Sequence, residues 1–163
     1  MGQQIALPEE LAAQIEQILS ELRIRAQVDC VLLADISGQL IASQGEVEGL
    51  DPVLVAALAA GELAAMTELT HQIGEKSPTS SFLHEGEKKS LYISDVAGTF
   101  ILIVAFPAGV PVGLVRLFIR RAVERLRPLA AEFEDMIHRA RPALGADFGA
   151  ALSGELDRIL GEM

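Results

Sequence analysis

The stretch Leu50–Gly74, LDPVLVAALAAGELAAMTELTHQIG, constrains the fold of this chain more than any other. Asp51 offers a carboxylate to the free amides of a first helical turn, Pro52 suits the first helical position, and Gly74 permits a left-handed stop. The stretch therefore reads as a helix of about six turns. At about 100° per residue, Leu54, Val55, Leu58, Ala65, Met66, Leu69 and Ile73 fall on one arc, which is expected to face a core. Ala56, Ala57, Ala60, Ala64, Thr67, Glu68 and His71 fall on the opposite arc. A solvated helix face usually carries Lys, Glu and Gln, whereas alanines let another backbone approach closely; alanine is also simply the best helix former. Glu62 interrupts the apolar arc. It must sit at the edge of that arc, find a partner, or mark the face assignment as rotated.

The rest of the chain supplies what such a helix could cover. Pro8–Arg25 repeats Leu11, Ile15, Ile18 and Leu22 at the helical interval. Asp29–Ile36 is short and continuously apolar, a buried strand, and Asp35-Ile36-Ser37-Gly38 turns the chain into a second strand, Gln39–Ser43. Gln44–Gly49 is a polar connection, and EKSPTS after Gly74 is a loop by composition. Ser81–Glu85 and Ser90–Val96 read as half-exposed strands around the polar GEKK, and Thr99–Phe106 as a fully apolar one. Continuously apolar strands belong in the middle of a sheet covered on both faces, so Cys30–Ala34 and Phe100–Phe106 are expected to be central and the mixed strands outside. Short connections make most neighbours antiparallel. The class is α+β, with helices on both faces and the central helix able to lie alone on one.

Val112–Ala140 continues as a long helical pattern in which Pro128 is expected to cause a kink or break. Arg141–Gly149, with Pro142, Gly145 and Gly149, reads as a linker. Ala150–Met163 then offers Leu152, Leu156, Ile159 and Leu160 on one face against Glu155, Asp157, Arg158 and Glu162. Such a short segment must dock on something or fray. The expected organisation is one domain over 1–140, a linker over 141–149 and an amphipathic segment over 150–163.

Composition narrows the function. A net charge of -10 disfavours nucleic acid through phosphate repulsion. Residues 116–141 nevertheless hold 7 basic against 4 acidic side chains, a local block that a solvated helix face would explain. The uncharged run Val96–Val115 is interrupted by Pro107, Gly109, Pro111 and Gly113, which argues against membrane insertion. The single cysteine, Cys30, lies in an apolar run and reads as a small core residue. The amino terminus shows no leader pattern, so a cytoplasmic location is expected. No phosphate-binding glycine loop, nucleophile elbow, calcium loop or metal-ligand spacing occurs, and His71, His84 and His138 are scattered. No catalytic residue, cofactor or metal is expected. An interaction protein outranks an enzyme.

The order helix, hairpin, helix, three strands, helix, together with VDCVLLADISGQLIAS, AGELAAM and LYISDVAGTFILIVAF followed at seven residues by LVRLFIRRA, resembles the roadblock/dynein light-chain family. The resemblance covers about Ala12–Arg127. It implies a five-stranded antiparallel sheet in an α/β/α sandwich, between a helix pair and the single central helix. It also implies a homodimer joined through an edge strand and the two central helices. For members of this kind it implies binding of a Ras-like small GTPase on that helix pair and stimulation of GTP hydrolysis without an arginine finger, with nucleotide exchange as a further activity. The surface residues so implicated are Ala57, Ala60, Gly61, Ala64, Glu68 and His71, joined by Leu152, Leu156, Ile159 and Leu160 reaching over the linker. Two other readings stand beside it: a passive scaffold that assembles or localises partners without changing hydrolysis, and a small-molecule sensor with a pocket between sheet and helix.

Overall fold

Backbone polar groups taken into an apolar interior must be paired, and in this chain the five apolar runs pair with one another. The computed structural model describes residues 6–76 and 81–161 and, for 141–148, the backbone course alone. Residues 77–80 of the expected loop, and Glu162 and Met163 of the tail segment, lie outside the described residues. Strands β1 (Cys30–Asp35), β2 (Leu40–Gly45), β3 (Ser81–Glu85), β4 (Lys89–Val96) and β5 (Phe100–Pro107) form one antiparallel sheet in the order β2-β1-β5-β4-β3. The continuously apolar β1 and β5 are interior strands, as two-faced burial requires, and β2 and β3 are the edges; β4, expected outside, lies between β5 and β3 and is largely buried.

The register sets Leu32 and Ile93 on either side of Ile103, and this layer faces helix α2 (Pro52–Gln72). The alternate residues turn to the other face, beneath helices α1 (Glu9–Ala26) and α3 (Val112–Gly161). There Leu11, Ile15, Leu19, Val115, Ile119 and Leu126 are buried. Asp51 caps α2 as expected, its carboxylate accepting from the Val53 and Leu54 amides at 3.1 and 3.3 Å.

Two expectations need correction. The face of α2 is rotated: Ala56, Ala59 and Leu63 are its buried residues, while Leu54, Leu58 and Leu69 are exposed. The helix is apolar all round, so its pattern carries almost no moment to orient it, and the small side chains win because they let the helix axis approach the sheet. Glu62 meets two of its three conditions, since the assignment is rotated and its carboxylate also bonds His84 on β3. The second correction concerns α3, which runs through Pro128 without a break and through residues 141–149, where a linker is expected. A proline inside a helix costs about 3 kcal/mol, and the burial of Leu126, Leu129 and Ala130 around Pro128 is large enough to offset it. Alanine and leucine at 143, 144 and 146 favour the helix across the second stretch.

The chain divides into two compact units, Met1–Ala130 and Ala131–Met163. The sheet, α1, α2 and the first part of α3 make up the first. In the second, the described side chains from 149 onward are exposed, Leu152, Leu156, Ile159 and Leu160 among them, and Arg158 bonds Glu155 at 2.6 Å.

The β1–β2 turn locks the sheet to α2. The Asp35 carboxylate accepts from the Ser37 amide, the Ser37 hydroxyl and the Gln39 amide at 3.0, 2.6 and 2.9 Å. This holds Gly38 at a φ of +94°, with the space for a Cβ only 3.0 Å from the Ala57 Cα and 3.1 Å from the Ala60 Cβ. Gly38→Ala is expected to destabilise the fold by about 1–3 kcal/mol, from the left-handed backbone and the contact with α2 together. Ser37→Ala should cost less, about 1 kcal/mol, and urea unfolding of the two variants measures the difference.

Candidate partner-binding site

Stepping around α2 from its buried line separates its outer surface into two flanks with Gly61 on the ridge between them. Glu62 reaches His84 on β3, so the flank next to Glu62 lies toward that edge of the sheet. It carries Leu54, Leu58, Ala65 and Leu69, and Leu58 is 62% exposed. Gly38 touches Ala57 and Ala60, so the second flank lies toward the β1–β2 turn. It carries Ala57, Ala64, Glu68 and His71. Of the residues singled out on this helix, Ala57, Gly61, Ala64, Glu68 and His71 are exposed and Ala60 is half-buried, partly covered by the turn.

The two flanks suit different contacts. The leucine flank is a continuous apolar stripe beside β3, an edge strand whose one neighbour is β4. Exposed leucines are costly in water, and an open sheet edge on the same side of the protomer is a template for pairing with another chain. Covering each half-exposed leucine contributes about 1 kcal/mol.

The alanine flank is concave. Ala60, Ala64, Thr67 and Glu68 form one wall of a groove of about 680 Å³, closed by Ile36 of the β1–β2 turn, by Ala97 and Gly98 of the β4–β5 turn, and by Arg127. Asp95 stands in it. Burial pushes its carboxyl up, against the opposing pull of the Gly98 amide and of Arg127. Sequence reading missed Ile36, Ala97, Gly98 and Arg127 as parts of this surface. Ile36 left a signal, an isoleucine in a polar turn, and it is 51% exposed; the others are brought here only by the sheet order.

The arrangement offers shape and charge. Among the described residues no cluster of three His, Cys, Asp or Glu side chains could hold a metal. Cys30 is buried, and desolvation pushes its thiol up, away from the thiolate. Apart from Arg127, the arginines of this part of α3 lie elsewhere. Arg125 bonds Glu21 of α1, which holds that carboxyl below its ordinary value, and Arg121 sits 5.7 Å from the centre of the Phe118 ring.

Comparison with known proteins fits this geometry. The model of the Roadblock/LC7 domain matches residues 14–106. Among solved structures, Myxococcus xanthus MglB superposes with a TM-score of 0.73 at 35% identity, covering 79% of this chain and 96% of that one. The gliding protein MglB from Thermus thermophilus gives 0.71 at 26% identity, covering 81% and 99%. An MglB with a tetrameric arrangement gives 0.71 at 25%, covering 81% and 98%. No curated protein sequence matches.

The leucine flank yields a test that needs no partner. Leu58→Asp and Leu69→Asp change side chains that the isolated protomer leaves exposed, so each should alter the stability of the protomer by no more than about 0.5 kcal/mol. Sedimentation at micromolar concentration is expected to give twice the 17.4 kDa chain mass for the parent protein and the single-chain mass for the double variant. A double variant that remains dimeric would move the seam off this flank.

Proposed function

The chain belongs to the Roadblock/LC7 family, and we propose that within it the protein works as a homodimeric regulator of a Ras-like small GTPase of the MglA type, stimulating GTP hydrolysis. The observation that carries this reading is the division of labour on α2. One flank is apolar and runs beside a free sheet edge, which suits a second copy; the other is small-sided, concave and carries Glu68 and His71, which suits a different partner. In a dimer seamed along the leucine flanks, two alanine flanks and two Gly61 ridges form one composite surface for the GTPase.

The stimulation proceeds without an arginine finger. Phosphoryl transfer needs positioned groups and charge stabilisation, and a partner that shifts the switch segments of a GTPase can complete both from the GTPase's own residues. Two features support this. The arginine row of α3 from 116 to 125 packs on the sheet face away from α2, and Arg125 is held by Glu21. In this reading the protein is a regulator, and the reacting groups belong to the GTPase. The exposed apolar face of Leu152, Leu156, Ile159 and Leu160 adds a second contact, which tethering makes effectively intramolecular.

Single-turnover hydrolysis by the GTP-loaded partner, with and without the dimer, tests the proposal, and nucleotide release measured alongside reports exchange. A rise of about tenfold or more is expected; binding with an unaltered rate would leave a scaffold.

Ala64→Arg places a long charged side chain on the concave flank. It is expected to leave folding and the dimer intact within a few tenths of a kcal/mol, since Arg is a good helix former, and to lower affinity for the GTPase by about a hundredfold. Ala64→Ser is the size control and should bind like the parent. Removal of residues 150–163 should weaken binding and leave the dimer unchanged, and titration calorimetry with sedimentation measures both.

A further inference from the structure

The two flanks of α3 differ in what their arginines meet. Toward α1, Arg125 and Arg121 are occupied by Glu21 and the Phe118 ring. On the other flank Arg116, Arg120 and Arg127 overhang the sheet, and with Ser81, Tyr92 and Ser94 they line a groove of about 540 Å³. None of these three arginines enters an ion pair among the described residues. Two acids share the groove, the exposed Glu124 and, near Arg127, Asp95. Arg116 stands farthest along the helix from both.

The floor is polar where a helix-covered sheet face is usually apolar. Tyr92 is 5% exposed and Ser94 8%. The Tyr92 hydroxyl makes no hydrogen bond among the described residues, yet no fully buried side-chain oxygen or nitrogen there lacks a partner. The hydroxyl therefore opens into the groove. Ser94 spends its hydroxyl on a long 3.4 Å bond to the carbonyl of Asp95. A buried phenol and a weakly engaged hydroxyl beneath a row of guanidiniums with no ion pair among the described residues form a receptor for an anion.

The spacing of the cations identifies its shape. At about 1.5 Å rise per residue, Arg116 and Arg120 stand about 6 Å apart along the axis, and Arg127 about 10 Å further on. Side chains on one face of an extended peptide repeat at about 6.6 Å, so two carboxylates separated by one residue match Arg116 and Arg120. A single phosphate would meet one guanidinium pair and leave the third unused. Neither a flat bilayer nor a nucleic-acid duplex would reach a phenol recessed between helix and sheet. We infer that this groove docks an extended acidic segment of a partner protein, with alternate carboxylates on Arg116 and Arg120 and a hydrogen bond to Tyr92. Its anchoring residues Arg116, Arg120 and Tyr92 lie outside the α2 groove, which shares only Arg127 and Asp95 with this one, and the inference does not rest on the GTPase reading.

Fluorescence anisotropy of the full chain with a labelled peptide of alternating Glu and Thr, and with its Gln and Thr counterpart, tests the site. The Glu peptide should bind at least about tenfold tighter, and Arg116→Ala and Arg120→Ala should each remove about tenfold of that affinity. Tyr92→Phe should weaken it about threefold without changing the urea midpoint, while Arg121→Ala on the far flank should bind like the parent. Equal binding of the Gln peptide, or an equal loss from Arg121→Ala, would reduce the groove to diffuse charge and overturn the inference. So would displacement of the peptide by equimolar inorganic phosphate, or capture of the chain by phosphatidylserine vesicles without peptide binding.

Discussion

A helix laid on a sheet can bury only part of its circumference, and α2 is apolar on nearly all of it. Something apolar must stay outside. The structure spends the small residues inward: Ala56 and Ala59 meet the sheet, and Gly38 in the β1–β2 turn comes within contact of Ala57 and Ala60. Close approach of two backbones is available only where side chains are this short, and dispersion contacts between them are lost quickly as the gap widens. The cost is that Leu54, Leu58 and Leu69 stand in water on the protomer. Much of the surface chemistry follows from that exchange.

The leucines do not stand alone. They flank β3, the edge strand whose one neighbour among the described strands is β4, and the Glu62–His84 contact pins the helix to that strand. Edge backbone and apolar side chains are therefore presented together, with a polar contact between them that fixes their relative position. A second copy of the chain can satisfy both at once, which neither a peptide strand nor an isolated helix would do. The alanine flank is what remains of α2 once the sheet-facing line and the leucine flank are set apart.

The opposite sheet face works by charge. Between Arg116 and Arg127 the helix α3 presents guanidiniums on both flanks, but among the described residues only those toward α1 enter an ion pair or a ring contact. The row over β4 has hydroxyls beneath it instead. In a chain of net charge -10, such arginines over buried polar side chains are a local inversion of the field, and they give the molecule two surfaces of different chemistry on the two sides of one sheet.

The interior places of β1 and β5 were legible in the sequence because burial on two faces leaves a compositional mark, whereas β4, half-exposed by its pattern, lies inside the sheet because β3 pairs beyond it. The turn at Asp35–Gly38 and the cap at Asp51 were legible for the same kind of reason, since their chemistry is local and each residue type has one efficient use. The Roadblock/LC7 architecture follows from the order of the strands. What the sequence could not decide was which way α2 faces, because a helix without a polar side carries no signal of its own orientation. Nor could it show that α3 continues through Pro128 and Pro142, where a local penalty of a few kcal/mol competes with burial and propensity summed over many residues. The groove of Ile36, Ala97, Gly98 and Arg127 and the pairing of Arg125 with Glu21 were equally out of reach. These join residues from separate elements, and only the packing of the sheet sets the distances between them.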